Sequence, residues 1–199
     1  MSSSNSLATN DALTLQWNAA TTIHYRPDPV EIARRQDANA APVTNWSALE
    51  LLSALPVGEP VPEVALRARE RHLIGSLPHG AALRDGATIT RLAVRPLAVD
   101  VAVVTGPPAK AFNAATSFAP FCARAVHLTR LPDSKRDMYL TQASFYGVGV
   151  TVAGEELLAP VPYRPKRHTP AAWRFVELVH EKARQAGFPH GDPCRTRAA

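Results

Sequence analysis

Asp100 is the residue whose type and setting first suggest chemistry, because it is a carboxylate inside an apolar, β-branched run from Val99 to Thr105. An acid there must be paired, solvated at a cleft, or bound to a metal, since an isolated buried carboxylate is too costly to keep ionised. Asp85, on a turn just upstream, and Lys110, at the start of the following helix, are placed to approach it. Two carboxylates and a lysine are what Mg²⁺-assisted phosphodiester cleavage requires: the acids hold the cation, and the lysine steadies the attacking water and the developing charge. The competing reading pairs Asp100 with a neighbouring arginine such as Arg91 or Arg95 and makes it structural.

A second group suggests binding. Tyr163, Arg164, Lys166, Arg167 and His168 form the densest positive stretch, and it runs into a helix N-terminus whose free N–H groups also favour an anion. Arg174 follows on that helix. The cations suit phosphates and the tyrosine suits stacking on a base, so DNA or RNA is the partner these residues predict. A stiff, solvated surface connection is the alternative.

Other patterns carry less. The turn Thr105-Gly106-Pro107-Pro108 lies at the carboxyl end of a strand, where α/β folds bind ligands, but its prolines remove two N–H groups that a phosphate cradle would use. Gly147-Val148-Gly149 lacks the third glycine of a dinucleotide fingerprint and opens a strand, so tight packing is its expected role. Cys122 with His127, and His190 with Cys194, have no second pair at metal-ligand spacing. His180 falls on the apolar face of the last helix as a core histidine. Ser117 and Ser144 lie outside any nucleophile elbow.

The elements that must position these residues read as an α/β domain over 45–187, preceded by an N-terminal arm and linker over 1–44, partly disordered, and followed by a flexible tail over 188–199. Leu13 to Tyr25 alternates as a strand or hairpin, and Asp28-Pro29 starts a helix to Gln36. The arm's Trp17 and Tyr25, with Trp46 beyond the linker, offer a surface for a protein partner or for self-association. Within the domain, 45–75 is helical: Asn45 caps a helix from Trp46 to Leu55, and a third helix spans Pro62 to Ile74. Residues 87–160 form a βαβ core. Ala87 to Val94 reads as extended or, over Ala87 to Leu97, as a helix, and Ala98 to Thr105 is extended; a helix carries Phe112, Ala115 and Phe118. Ala125 to Thr129 is a strand, a helix carries Met138, Gln142 and Phe145, and Val148 to Ala153 is a strand reaching on to Leu157-Leu158. The last helix, 169–186, has Thr169 as N-cap and Gly187 at its end, with Trp173, Val176, His180 and Ala183 inward and Arg174, Glu177, Glu181, Lys182 and Arg184 outward. The predicted fold is a small mixed sheet with parallel βαβ crossovers and helices on both faces.

Composition bounds the class. The chain has 199 residues, of which 46% are apolar and 20% charged, enough for a hydrophobic core. It carries no apolar run approaching the roughly 20 residues of a membrane span. The Ser/Asn-rich start lacks a secretory pattern, and two cysteines are too few for a disulfide framework, so a cytoplasmic protein with no membrane contact is expected. Eighteen of 22 basic residues are Arg, the usage of a GC-rich bacterial genome. The net +5 is uneven: residues 1–60 hold 3 basic and 6 acidic groups, whereas 61–199 hold 19 and 11. The basic body points to a polyanion.

Over about Pro62 to Pro160 the order helix, hairpin, central strand with an acid, crossover helix, strand, helix, strand resembles the restriction-endonuclease-like PD-(D/E)xK superfamily. Tyr146-Gly147-Val148-Gly149-Val150, followed by Leu158-Ala159-Pro160-Val161 and Arg164-Pro165, is similar to how some bacterial members close that core. The resemblance implies a fold that handles DNA through Mg²⁺ chemistry. Where such a family has Glu-x-Lys, this chain has Asp100-Val101-Ala102, and no glutamate occurs between Glu70 and Glu155. The expected function is therefore a non-enzymatic regulatory or assembly protein without a cofactor, with a nuclease-like core that binds nucleic acid or a protein partner through its basic C-terminal part. A Mg²⁺-dependent nuclease using Asp85, Asp100 and Lys110, and a structural subunit of a protein assembly, are the alternatives.

Overall fold

A computed structural model describes residues 12–187. Their order is β1 (Leu13–Asn18), β2 (Thr21–Pro27), α1 (Pro29–Asp37), α2 (Trp46–Ala54), β3 (Pro60–Pro62), α3 (Ala68–Leu73), β4 (Ala82–Asp85), β5 (Thr88–Arg91), β6 (Leu97–Thr105), α4 (Pro108–Thr116), β7 (Ala123–Leu128), α5 (Asp133–Tyr146), β8 (Val148–Val152), β9 (Glu155–Leu158) and α6 (Pro170–Gln185). The architecture is mixed α/β, with a six-stranded and a three-stranded sheet. The chain divides into two compact units: the described residues up to Arg26 with Val99–Pro165, and Pro27–Ala98 with those from Lys166 on. No helix among the described residues is long and apolar enough to cross a membrane.

In the first unit the sheet runs β1-β2-β6-β7-β8-β9. The β6-β7-β8 pairings are parallel, and the β1-β2 and β8-β9 pairings are antiparallel. Two βαβ crossovers therefore make its centre, as the alternation of β-branched runs and helical segments predicts. Ala102, Val104, Val126, Leu128, Val148 and Val150 are buried, and α4 packs on β7 and β8 while α5 packs on β8. The two helices meet where the Phe112 and Tyr139 rings pack edge to face at 5.9 Å. The segment read as an arm supplies the first two strands of this sheet: Leu15, Ile23 and Tyr25 are buried. Burial at alternate positions is what holds a hairpin at a sheet edge. The reading of residues 1–12 as disordered and of 188–199 as a flexible tail falls outside the described residues, Ala12 excepted.

The second unit is built on α1, α2 and α6. Asp28 accepts from the N–H groups of Val30 and Glu31, Asn45 from that of Ala48 and Thr169 from that of Ala172, so each helix begins on the residue its sequence marks. Two apolar clusters fill it, one around Val43, Leu49, Leu52 and Trp173, the other around Leu51, Leu55, Leu66 and Ile89. The predicted helix from Pro62 to Ile74 is broken: Glu63–Ala65 is a 3₁₀ turn, Leu66 is extended, and α3 is only six residues long. The strand read over Ala87 to Val94 shortens to β5, which joins β3 and β4 in the small sheet rather than β6. Proline is tolerated in β3 because it is an edge strand. A boundary at Thr44 is not where the units divide, since the linker belongs to the second unit: Val43 is buried and its N–H donates to Glu177.

Glu177, expected outward, has 0% of its surface exposed. Its carboxylate receives Arg35 at 2.7 and 2.8 Å, the Trp173 indole N–H at 2.9 Å and the Val43 N–H at 3.2 Å. Arg35 also donates to Glu31 and to the Val94 carbonyl. Burial would push the Glu31 carboxyl up, but the hydrogen bonds from Arg34 and Arg35 outweigh it and hold it below the usual carboxylate range. Four of the five guanidinium N–H groups of Arg35 have acceptors in this set, which is what allows two acids and an arginine to be buried together.

Candidate functional site

Asp100 enters β6 from the loop after β5, and the neighbouring strand β2 carries Arg26. The guanidinium covers both carboxylate oxygens, with Nε at 3.1 and 3.0 Å and Nη2 at 2.8 Å. The hydrogen bond and the charge of Asp100 raise the Arg26 pKa further. The expected partners Arg91 and Arg95 are engaged elsewhere: Arg91 donates to carbonyls of Ala93, Leu52 and Leu55 and stacks 4.5 Å over Trp173, and Arg95 contacts His168. Asp100 and Lys110 belong to the first unit and Asp85 to the second. Asp85 is exposed at the β4-β5 turn, and Lys110 is exposed in the first turn of α4.

Mg²⁺, which the nuclease resemblance implies, does not suit this donor set. Among the described residues no group of three or more His, Cys, Asp or Glu is placed to hold a metal, and both oxygens of Asp100 already face a guanidinium. Cys122 is buried, which pushes its thiol up to about 12 and keeps it protonated and unreactive, whereas His127 is exposed. His190 and Cys194 lie outside the described residues.

The predicted basic stretch is divided. Tyr163 and Arg164 fall in the first unit, and Lys166, Arg167, His168 and Arg174 in the second. His168 adds no cation at neutral pH: burial and then the charge of Arg95 lower its pKa, and its Nδ1 accepts from Arg95 at 2.8 Å. Arg174 donates to the Thr44 carbonyl at 3.1 Å and lies 6.0 Å over the exposed Trp46 ring. Lys166 and Arg167 are exposed.

Tyr163 and Arg164 gain company that the sequence did not mark. They line a cavity of about 320 Å³ with Arg124, Phe145, Tyr146 and Val161, and no acidic residue among the described ones lines it. Arg124 comes from β7; its Nη2 donates to the Tyr146 carbonyl, and its Nε is buried without an acceptor among the described residues. Phe145 is 84% exposed at the end of α5. It is held edge-on to Tyr146 at 5.1 Å, and Tyr146 in turn to Phe112 at 5.6 Å. The Tyr163 hydroxyl donates to the Pro120 carbonyl at 2.6 Å, fixing its ring.

Two glycines let the 160–164 segment close this cavity. Gly147 ends α5 at φ 67°, and a Cβ there would lie 3.1 Å from Val161 Cβ. A Cβ on Gly149 would fall 2.7 Å from Pro160 Cδ. Tight packing is therefore the role of the pair, as their setting predicts. The aromatic cluster was legible only as a helix carrying Phe145. The face that packs on the sheet is instead that of Tyr139 and Ala143, so Met138 and Phe145 are left exposed.

The arrangement offers a fixed, exposed ring beside two cations, a geometry suited to stacking and anion contact. Comparisons of the chain with protein-family models, curated proteins and solved structures find no match.

Proposed function

We propose that the protein is a non-enzymatic binder of single-stranded nucleic acid, and that its contact surface is the face of the first unit formed by Arg124, Phe145, Tyr146, Tyr163 and Arg164. The observation that carries this reading is Phe145, a ring 84% exposed yet braced by Tyr146, beside a cavity lined by two arginines and, among the described residues, no acid. An exposed ring is a platform for any base, and flanking cations meet the backbone phosphates. Arg124 supports it further, because its buried Nε leaves the guanidinium short of acceptors within the protein. The Arg26 guanidinium on Asp100 favours a binding role over cleavage.

Titration of a labelled single-stranded oligonucleotide tests it. Phe145→Ala is expected to weaken binding by about tenfold, in line with the ~1–3 kcal/mol of a base–aromatic stack, and Phe145→Trp to restore it. Equal affinity in all three proteins would remove the reading and leave a protein partner as the occupant of this face. Incubation with plasmid and single-stranded DNA in Mg²⁺ or Mn²⁺ is expected to leave both intact; nicking that Asp100→Ala abolishes would establish the enzyme instead.

A further inference from the structure

A second cleft of the first unit lies away from that face, at the carboxyl ends of β6 and β7. The turn after β6 and the turn after β7 flank it, and the starts of α4 and α5 wall it, enclosing about 550 Å³. This volume is in the range of small-molecule sites. Its lining is mostly apolar, with Phe112, Leu131, Met138 and Tyr139 among the side chains, and its two charged groups are Arg130 and Lys135, both cations. Tyr139 is not free to act as an acid or base: burial pushes its phenol up to about 12, and the hydroxyl donates to the Pro108 carbonyl at 3.0 Å. Met138 is 65% exposed at the rim and adds apolar surface there.

We infer that this cleft binds a small amphipathic carboxylate, with its apolar body over Phe112, Leu131 and Met138 and its carboxylate between Arg130 and Lys135. Charge complementarity selects an anion, since no acid among the described residues lines the cleft to offset the two cations. The turn chemistry selects a carboxylate over a phosphate. Pro107 and Pro108 remove two backbone N–H groups from one wall and Pro132 removes one from the other, whereas a phosphate site is built from several such groups. The prolines instead extend the apolar surface. Asn113 and Gln142 supply neutral hydrogen bonds at the margin.

Calorimetric titration of the full chain with decanoate, decyltrimethylammonium and decanol tests the inference. Saturable one-to-one binding of decanoate is expected, with no heat from the cationic analogue and weaker binding of the alcohol. Arg130→Gln combined with Lys135→Gln changes two exposed side chains and should weaken decanoate by about tenfold or more, the scale of a lost charge-assisted contact. Met138→Glu should abolish binding by bringing a like charge to the rim. Phe145→Ala should leave decanoate binding unchanged, which separates this site from the nucleic-acid face. No saturable binding of decanoate, equal binding of the anion and the cation, or full affinity in the Gln/Gln variant would each overturn the inference.

Discussion

Two arginine–carboxylate pairs use the same chemistry in opposite settings. In the first unit Arg26 meets Asp100 with side chains 48% and 31% exposed. In the second Arg35 meets Glu177 with side chains 6% and 0% exposed. Both are bidentate, with closest contacts of 2.8 and 2.7 Å, so geometry does not distinguish them. Water does. The exposed pair has its attraction screened by solvent, whereas the buried one must replace its lost hydration with Trp173, Val43, Val94 and Glu31. The second unit thus commits its buried charge to holding α1, α6 and the 38–45 loop together. The first unit keeps its cations near the surface, where a ligand can meet them.

The sharpest way to break this comparison is to remove one buried partner. Glu177→Ala leaves Arg35 charged and short of acceptors, and urea unfolding should show a loss of about 3–5 kcal/mol. A loss under 1 kcal/mol would mean that the network is solvated in solution. Next in size is Phe145→Ala, whose effect should fall on nucleic-acid affinity and not on folding. A ring 84% exposed contributes within about 0.5 kcal/mol to stability, so its unfolding curve should overlay that of the unsubstituted protein.

Acid should act on the second unit through Glu31. Its folded-state pKa lies below the ordinary value, so its contribution is complete above the unfolded pKa and is lost as pH falls through the folded one. Urea midpoints measured from neutral pH down through the carboxylate range should decline, and Glu31→Gln should flatten the decline. The smallest effect belongs to Asp100→Asn. An exposed pair is worth about 0–1 kcal/mol, so unfolding should barely shift. A loss comparable to that of Glu177→Ala would show that exposure does not separate the two pairs.

Much of the fold was legible because local signals agreed with the tertiary outcome. Asp28, Asn45 and Thr169 cap the helices they mark, and the alternation from β6 to β8 forms the expected crossovers. The region 57–96 was not, since Pro60, Pro62 and Pro96 interrupt both helical and strand patterns and leave tertiary packing to decide. Periodicity also placed Glu177 outward, because nothing local reveals a partner 142 positions away. Asp100 drew attention as an acid in an apolar strand, yet it stands near the strand's start, where Arg26 and water both reach it. At the candidate site, Tyr163 and Arg164 were marked by the basic run. Arg124 and Tyr146 join them only through the β7-α5-β8 crossover, a juxtaposition that spacing along the chain does not show.

On the proposed reading the first unit's Arg124–Phe145–Arg164 face binds single-stranded nucleic acid through stacking and phosphate contacts. Anisotropy of a labelled oligonucleotide, measured over a salt series for the unsubstituted protein and for Arg164→Gln, tests it most directly. Log affinity should fall linearly with log salt, and Arg164→Gln should lower the slope by about 0.7, one phosphate contact on a single strand. A flat salt response, or an identical slope in the two proteins, would contradict it.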